Sequence, residues 1–182
     1  MDNNMPLIDG KSIDVLFSEQ DIAKRNRIIA TEIAAKRPQN LLVLPILKGS
    51  FIFAADLIRE LHRAGVSSTV EFITISSYGA GQESGEIKLL HDFDSDITGR
   101  DILLIDDILE SGKTLKFVRD LLKTRGAGRI FIAALLDKAM RRQADIEADF
   151  VGFPCPDQFV VGYGMDAGHA FRQLPFVGVI HK

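Results

Sequence analysis

Asp101-Ile102-Leu103-Leu104-Ile105-Asp106-Asp107-Ile108-Leu109-Glu110-Ser111-Gly112-Lys113-Thr114-Leu115 is the stretch on which the reading of this chain turns. Four apolar residues run into two adjacent carboxylates, then a third, then a Ser-Gly-Lys-Thr turn. The apolar run bounded by acids fits a strand buried on both faces, as in a parallel sheet. The small polar residues after it fit a loop that opens a helix, where successive backbone N–H groups make an anion site suited to phosphate. Asp106, Asp107 and Glu110 would repel a bare phosphate, so the ligand must also offer hydroxyls or magnesium to carboxylates. A phosphorylated sugar meets both demands.

Two nucleotide motifs compete and fail on the residues. A Walker A loop requires Gly-x-x-x-x-Gly-Lys-Ser/Thr, and the position of its first glycine is held by Asp107. A dinucleotide fingerprint requires Gly-x-Gly-x-x-Gly, and Gly79-Ala80-Gly81-Gln82-Glu83-Ser84 breaks it at the third glycine. The plain alternative is a strand-turn-helix connection with acidic capping residues.

With 182 residues, 46% of them hydrophobic, the chain suits one domain with a sizeable core rather than a disordered segment. Lys and Arg number 22 against 25 Asp and Glu, so no global positive field favours nucleic acid as the main partner. Residues 1–14 carry acids and asparagines without an uninterrupted apolar stretch, which speaks against a secretory signal or membrane span and for a cytoplasmic protein. Cys155 is the single cysteine, so no intramolecular disulfide can form; between Pro154 and Pro156 it reads as a bystander or a lining residue. His62, His91, His169 and His181 are scattered without metal-ligand spacing. His62 reads as a helix-surface residue, His169 as a solvated turn.

Along the chain, Ser18 followed by Asp21 marks a helix start, with Ile22, Ile29 and Ile33 on one face up to Lys36-Arg37-Pro38. Leu41 to Ile46 is the first core strand, closed by a Lys48-Gly49-Ser50 turn. Phe51, Ala54, Ala55, Ile58 and Leu61 predict a second helix ending near Gly65, and Val70 to Ile75 a second strand. Strand, helix and strand in this order imply a parallel crossover. Tyr78 to Lys88, with Gly79, Gly81 and Gly85, reads as a long loop, either a lid or an edge hairpin. After the signature strand, Leu115, Val118 and Leu122 predict a helix; Ile130 to Leu136 is a buried strand, and shorter β segments fall at Phe150 to Phe153, Phe159 to Val161 and Phe176 to Ile180. The alternation predicts an α/β fold, an open, mostly parallel twisted sheet with flanking helices. Ligands bind such sheets beyond the carboxyl ends of the strands, where Lys48, Asp106 and Lys138 are expected.

The segment resembles the phosphoribosyl pyrophosphate loop of type I phosphoribosyltransferases, most closely the hypoxanthine-guanine phosphoribosyltransferases. The likeness extends from Leu41 to Ile180. It implies a single domain over residues 1–182, with a small hood from about 1–15 and 149–182. Leu47-Lys48-Gly49 is similar to the family's pyrophosphate-binding turn, which contains a non-proline cis peptide. Ser77-Tyr78-Gly79 is similar to the start of its active-site lid. Asp106 and Asp107 correspond to the acidic pair around the ribose hydroxyls and their Mg2+, which they touch indirectly. Ser111, Gly112, Lys113 and Thr114 correspond to the cradle for the ribose 5-phosphate, although Lys113 also reads as a plain surface lysine. Lys138 resembles the lysine that donates to a 6-oxopurine, the alternative being an ordinary exposed lysine. The tract from Asp149 to Tyr163 resembles the base-binding hood, with Phe159 stacking on the purine and the Val160 backbone at its edge. On its own Phe159 reads as core. Asp166 corresponds to a Mg2+ ligand and Arg172 to a pyrophosphate contact, while Tyr163 is left to packing.

The resemblance implies transfer of a phosphoribosyl group from phosphoribosyl pyrophosphate to hypoxanthine or guanine, with Glu110 as general base at N7. It also implies a homodimer or homotetramer. Two departures stand out: Asp106-Asp107 replaces the Glu-Asp of many relatives, and Glu110 replaces an aspartate. The second adds a methylene where the base must reach, and a misplacement of ~1 Å can cost about a hundredfold in rate. Three other readings stay open: a preference for xanthine or another oxopurine, an RNA-binding regulator of the same fold, and a sugar-phosphate-binding domain without catalysis.

Overall fold

The structure, a computed structural model, describes residues 7–8, 11–77 and 87–180. The elements in chain order are β1 (Leu7–Ile8), β2 (Lys11–Phe17), α1 (Glu19–Ala35), β3 (Leu41–Leu47), α2 (Phe51–Arg63), β4 (Ser68–Val70), β5 (Ile73–Ser77) and β6 (Ile87–His91). They continue with β7 (Ile102–Leu109), α3 (Lys113–Thr124), β8 (Ile130–Asp137), a 3-10 turn at Ala139–Arg141, β9 (Phe150–Pro154), β10 (Val160–Val161) and β11 (Val177–Ile180). Among the described residues no helix is long and apolar enough to cross a membrane.

The main sheet runs β6-β5-β3-β7-β8-β9, with β4 also beside β3. Its pairings are parallel except for β5 with β6. β7 is the central strand foreseen from the opening stretch, and Ile102 to Ile105 are fully buried. Alternate residues face opposite layers: Leu103 and Ile105 pack with α1 and α2, Ile102 and Leu104 with α3. Helices on both faces make the sheet doubly wound. The chain leaves β3 in one direction and β7 in the other, so their C-terminal ends form a switch point, the place where such sheets bind ligands. Asp101 fastens the opposite end of β7. It is buried, and its carboxylate accepts hydrogen bonds from Gln39 N (2.6 Å) and Arg129 Nη2 (2.6 Å). The Arg129 hydrogen bond holds the Asp101 pKa below the ordinary carboxylate value, opposed by burial.

Helix α1 begins with the expected capping box, in which Ser18 Oγ accepts from Asp21 N at 3.2 Å. Ile22, Ile29 and Ile33 are buried as their spacing predicts. In α2 the face is rotated from the expected one: Phe53, Ala54, Leu57 and Leu61 are buried, whereas Phe51 and Ala55 are exposed. The strand expected over Val70 to Ile75 is broken at Glu71-Phe72. Val43 O accepts from Glu71 N at 3.1 Å. Two residues on, Pro45 turns the same way and has no N–H for a continuous partner, so the neighbour splits into β4 and β5.

β7 extends through Leu109, so Asp106 and Asp107 lie within its last half rather than beyond its end. Of the expected loop from Tyr78 to Lys88, residues 78–86 lie outside the described ones, while Ile87 and Lys88 belong to β6, antiparallel to β5. A second sheet, ordered β1-β2-β11-β10, joins the two ends of the chain. β2 was not foreseen as a strand. Phe150–Pro154, read with the hood tract, instead pairs with β8 in the main sheet.

Candidate active site

The cleft at the switch point has a volume of about 320 Å³ and is walled by Lys48, Gly49, Asp106, Asp107, Glu110 and the Ser111 loop. At the end of β3 the Leu47–Lys48 peptide is cis. Ser50 Oγ donates to Ile46 O at 2.5 Å and Phe51 N donates to Lys48 O at 3.3 Å, so hydroxyl and backbone both fix this turn. Glycine at position 49 leaves room for the Asp107 carboxylate, which a Cβ there would have to displace.

Asp106 and Asp107 form no ion pair among the described residues. Their carboxylates accept from adjacent backbone donors, Asp107 N at 3.1 Å and Ile108 N at 2.9 Å, and share a hydrogen bond with each other. Burial pushes Asp106 well above the ordinary carboxylate pKa, and the Asp107 charge adds to it. Burial raises Asp107 as well, opposed by hydrogen bonds and by the positive charge of Arg172. The pair is short of positive charge and of hydrogen-bond donors. No group of three or more His, Cys, Asp or Glu among the described residues could hold a metal by itself. Magnesium needs no such cage, since it uses one or two carboxylates together with ligand oxygens and water. The donor set therefore fits a hydrated Mg2+ carried by a polyoxyanion.

The loop from Ser111 to Thr114 depends on Gly112. Its φ of 78° is left-handed, and a Cβ would lie 2.6 Å from Ile146 Cγ2. Ser111 O accepts from Gln143 N and Ala144 N, each at 3.0 Å, tying the loop to the chain after β8. Helix α3 starts at Lys113, whose N donates to Ser111 Oγ at 3.4 Å, and Gly112 supplies no side-chain cap. The Lys113 side chain is exposed, whereas Thr114 lines the cleft.

Lys138 is buried rather than exposed, at 7%. Its Nζ lies 3.6 Å from Glu110 Oε1, and Arg141 Nε lies 3.8 Å from the same oxygen. Arg141 is itself held by Asp157 through bonds of 2.6 and 3.0 Å. Sequence reasoning missed Arg142, whose Nη1 donates to Leu109 O (3.0 Å) and Glu110 O (2.7 Å) while Nη2 pairs with Asp137. A second arginine after Lys138 was the available signal, and spacing alone could not say which backbone it would grip. Phe159 is 59% exposed, so it is not core, and Val160 beside it is buried in β10 against Val179. Cys155 is buried, and burial pushes its thiol up.

Asp166 and Arg172 pair with each other after β10, on a turn that meets Gly49 in the cleft wall through Gly164. Arg172 Nη2 lies 2.7 Å from Asp166 Oδ1, Asp166 Oδ2 accepts from His169 N at 2.7 Å, and Arg172 Nη1 donates to Gly164 O at 2.6 Å. Gly164 (φ 102°) abuts Gly49 O so closely that a Cβ would collide with it. His169 is a solvated turn residue, as expected. Tyr163 does more than pack: its hydroxyl bonds to Asp56 and Asn26. Ser77 ends β5, and Tyr78 lies outside the described residues.

A family model of the phosphoribosyl transferase domain matches residues 12–167. The hypoxanthine-guanine phosphoribosyltransferase of Aquifex aeolicus is 43% identical over 179 residues, covering 97% of this chain and 99% of that protein. The protein of the same name from Staphylococcus epidermidis is 46% identical over 171 residues, covering 92% and 93%. The crystal structure of a hypoxanthine phosphoribosyltransferase from Staphylococcus aureus superposes with a TM-score of 0.87 at 40% identity, covering 92% of this chain and 91% of that one. Identity of this order across nearly the whole of both partners is more than a shared fold: the chain belongs to the phosphoribosyltransferase family, among its hypoxanthine-guanine members.

Proposed function

We propose that the protein transfers the 5-phosphoribosyl group of phosphoribosyl pyrophosphate to N9 of hypoxanthine or guanine, giving IMP or GMP and pyrophosphate in purine salvage. The observation that carries this reading is the 3.6 Å approach of Glu110 to Lys138 at the mouth of the phosphate-loop cleft. A 6-oxopurine presents O6 and N7 side by side, one needing a donor and the other, as it loses its proton, an acceptor. An ammonium beside a carboxylate matches that edge, whereas the amino group of adenine would confront the lysine.

The reaction then follows from the residues. The first-turn N–H groups of α3, with the hydroxyls of Ser111 and Thr114, hold the 5-phosphate. Asp106 and Asp107 accept from the ribose hydroxyls. As the anomeric C–O bond lengthens toward an oxocarbenium-like state, the Lys48-Gly49 turn and Arg172 take up the charge of the departing pyrophosphate. N9 attacks the anomeric carbon from the opposite face, and Glu110 removes the N7 proton. Lys138 donates to O6, Phe159 stacks on the ring and the Val160 backbone meets its pyrimidine edge. Mg2+, when bound beside Asp106, Asp107 and Asp166, would neutralise pyrophosphate charge.

Incubation with phosphoribosyl pyrophosphate, magnesium and each of hypoxanthine, guanine, xanthine and adenine tests the reading. Nucleotide should form with the first two. Product with xanthine alone would move the protein to another oxopurine, and a specific RNA complex with no nucleotide formed would overturn the enzyme reading. The protein is further proposed to act in the cytoplasm as a homodimer or homotetramer, which light scattering returning a monomer would reject.

A further inference from the structure

Gly162, Tyr163 and Gly164 are three consecutive residues with positive φ, at 96°, 49° and 102°. Glycine adopts this region freely; tyrosine does not, and such a residue persists only where its surroundings hold it. Here the surroundings are two helices. The Tyr163 side chain is buried, and its hydroxyl reaches Asp56 Oδ2 on α2 and lies 2.9 Å from Asn26 Nδ2 on α1. A carboxylate can only accept, so the single phenolic proton goes to Asp56 and the hydroxyl oxygen accepts from the Asn26 amide.

The backbone of the same turn holds Arg172 and abuts Gly49, a residue of the cleft wall. Tyr163 N donates to Leu174 O at 2.8 Å, Gly164 N to Arg172 O at 3.0 Å, and Arg172 Nη1 returns a bond to Gly164 O at 2.6 Å. Gly164 also lies against Gly49 O. The hydroxyl of Tyr163 is thus anchored to α2, the helix that begins directly after the Lys48-Ser50 turn, while its neighbouring peptide carries Arg172.

We propose that Tyr163, gripped by Asp56 and Asn26, is a positioning residue that fixes Arg172 against the Lys48-Gly49 turn and so shapes the half of the site that receives the diphosphate. The inference rests on the functional reading above. Tyr163 acts through Arg172 and Gly49 and touches no substrate; on the base-binding side Lys138 follows β8, and Phe159 sits at the far end of β10, which β11 holds independently of Asp56 and Asn26.

The test uses the full-length protein and two variants. Tyr163→Phe removes one oxygen and keeps the ring. It should raise KM for phosphoribosyl pyrophosphate, and Kd for pyrophosphate, about tenfold, the scale of a lost hydrogen bond to a charged group, while KM for hypoxanthine stays within about twofold. Asp56→Asn keeps an acceptor oxygen for the phenol and should lie between wild type and Tyr163→Phe. An unchanged KM for phosphoribosyl pyrophosphate in Tyr163→Phe, or equal changes for both substrates, would overturn the proposal. If Tyr163→Phe fails to fold, Asp56→Asn decides alone by the same KM comparison. Absence of nucleotide formation by the wild-type protein would instead reject the functional reading.

Discussion

Glu110 Oε1 stands 3.6 Å from Lys138 Nζ although the two residues are carried by different strand ends, β7 and β8. The Glu110 side chain spans this gap from a backbone that Arg142 holds at Glu110 O. Glu110→Gln keeps the length and removes the basic oxygen. It should lower kcat by about 10²- to 10⁴-fold with little change in Kd for phosphoribosyl pyrophosphate. Steady-state rates with calorimetric binding check this, and an unchanged kcat removes Glu110 from the reaction.

Asp106 carries the second prediction, in which sign matters. Its pKa in the free protein is raised by burial and by Asp107, so across the window from the ordinary carboxylate value up to the raised one the native state binds more protons than the unfolded state. Stability from this group is therefore lost as pH rises through that window. Asp106→Asn removes the cost while its amide oxygen can still accept from Asp107 N. Calorimetry should show a higher Tm for the variant at neutral pH, a difference that closes on acidification, together with weaker binding of phosphoribosyl pyrophosphate. A variant less stable than wild type at neutral pH would contradict the sign.

Phe159 is 59% exposed, whereas Tyr163 and Phe171 are packed, at 4% and 3%. A stacking platform has to offer its face in this way. Phe159→Ala should raise KM for hypoxanthine by about 5- to 100-fold, the scale of base–aromatic stacking, and leave Tm within about 1 °C because little is buried. KM for phosphoribosyl pyrophosphate should not change. Substrate kinetics with a melting curve separate these effects, and a large fall in Tm would mean that Phe159 supports the fold instead.

What could be read in the sequence depended on whether the signal was local. Ser18 and Asp21 lie three residues apart and cap α1 as written; Ile102 to Ile105 announce a buried strand; Leu115, Val118 and Leu122 share one helical face. The helix phase at Phe51 was misread because four apolar residues in the first turn, Phe51 to Ala54, fit two adjacent faces, and only packing against α1 and β3 selects Phe53 and Leu57. The break at Glu71 depends on Pro45, some 26 positions earlier and on a neighbouring strand. At the site, the grouping of the carboxylates with the Ser111-to-Thr114 turn was legible because they are contiguous. The roles of Arg142 and of Tyr163 were not, since each is defined by partners brought up by the fold: Leu109 and Glu110 for one, Asn26 and Asp56 for the other.

Gly112 allows two costs to be separated. At φ 78° an alanine is strained, by about 1–2 kcal/mol, and a Cβ 2.6 Å from Ile146 Cγ2 must also displace a buried side chain. Gly126, at the other end of α3, has φ 80°, but a Cβ there meets nothing nearer than Thr98 Oγ1 at 3.6 Å. Gly126→Ala therefore carries the backbone term alone and should cost about 1–2 kcal/mol in stability without altering either KM. Gly112→Ala should cost about 1–3 kcal/mol more, from overpacking against Ile146. It should also raise KM for phosphoribosyl pyrophosphate, because the loop moves at its phosphate-binding N–H groups. Urea titrations of the two variants beside substrate kinetics check both terms. Equal destabilisation would show that Ile146 yields without cost, and an unchanged KM in Gly112→Ala would remove the Ser111-to-Thr114 loop from phosphate binding.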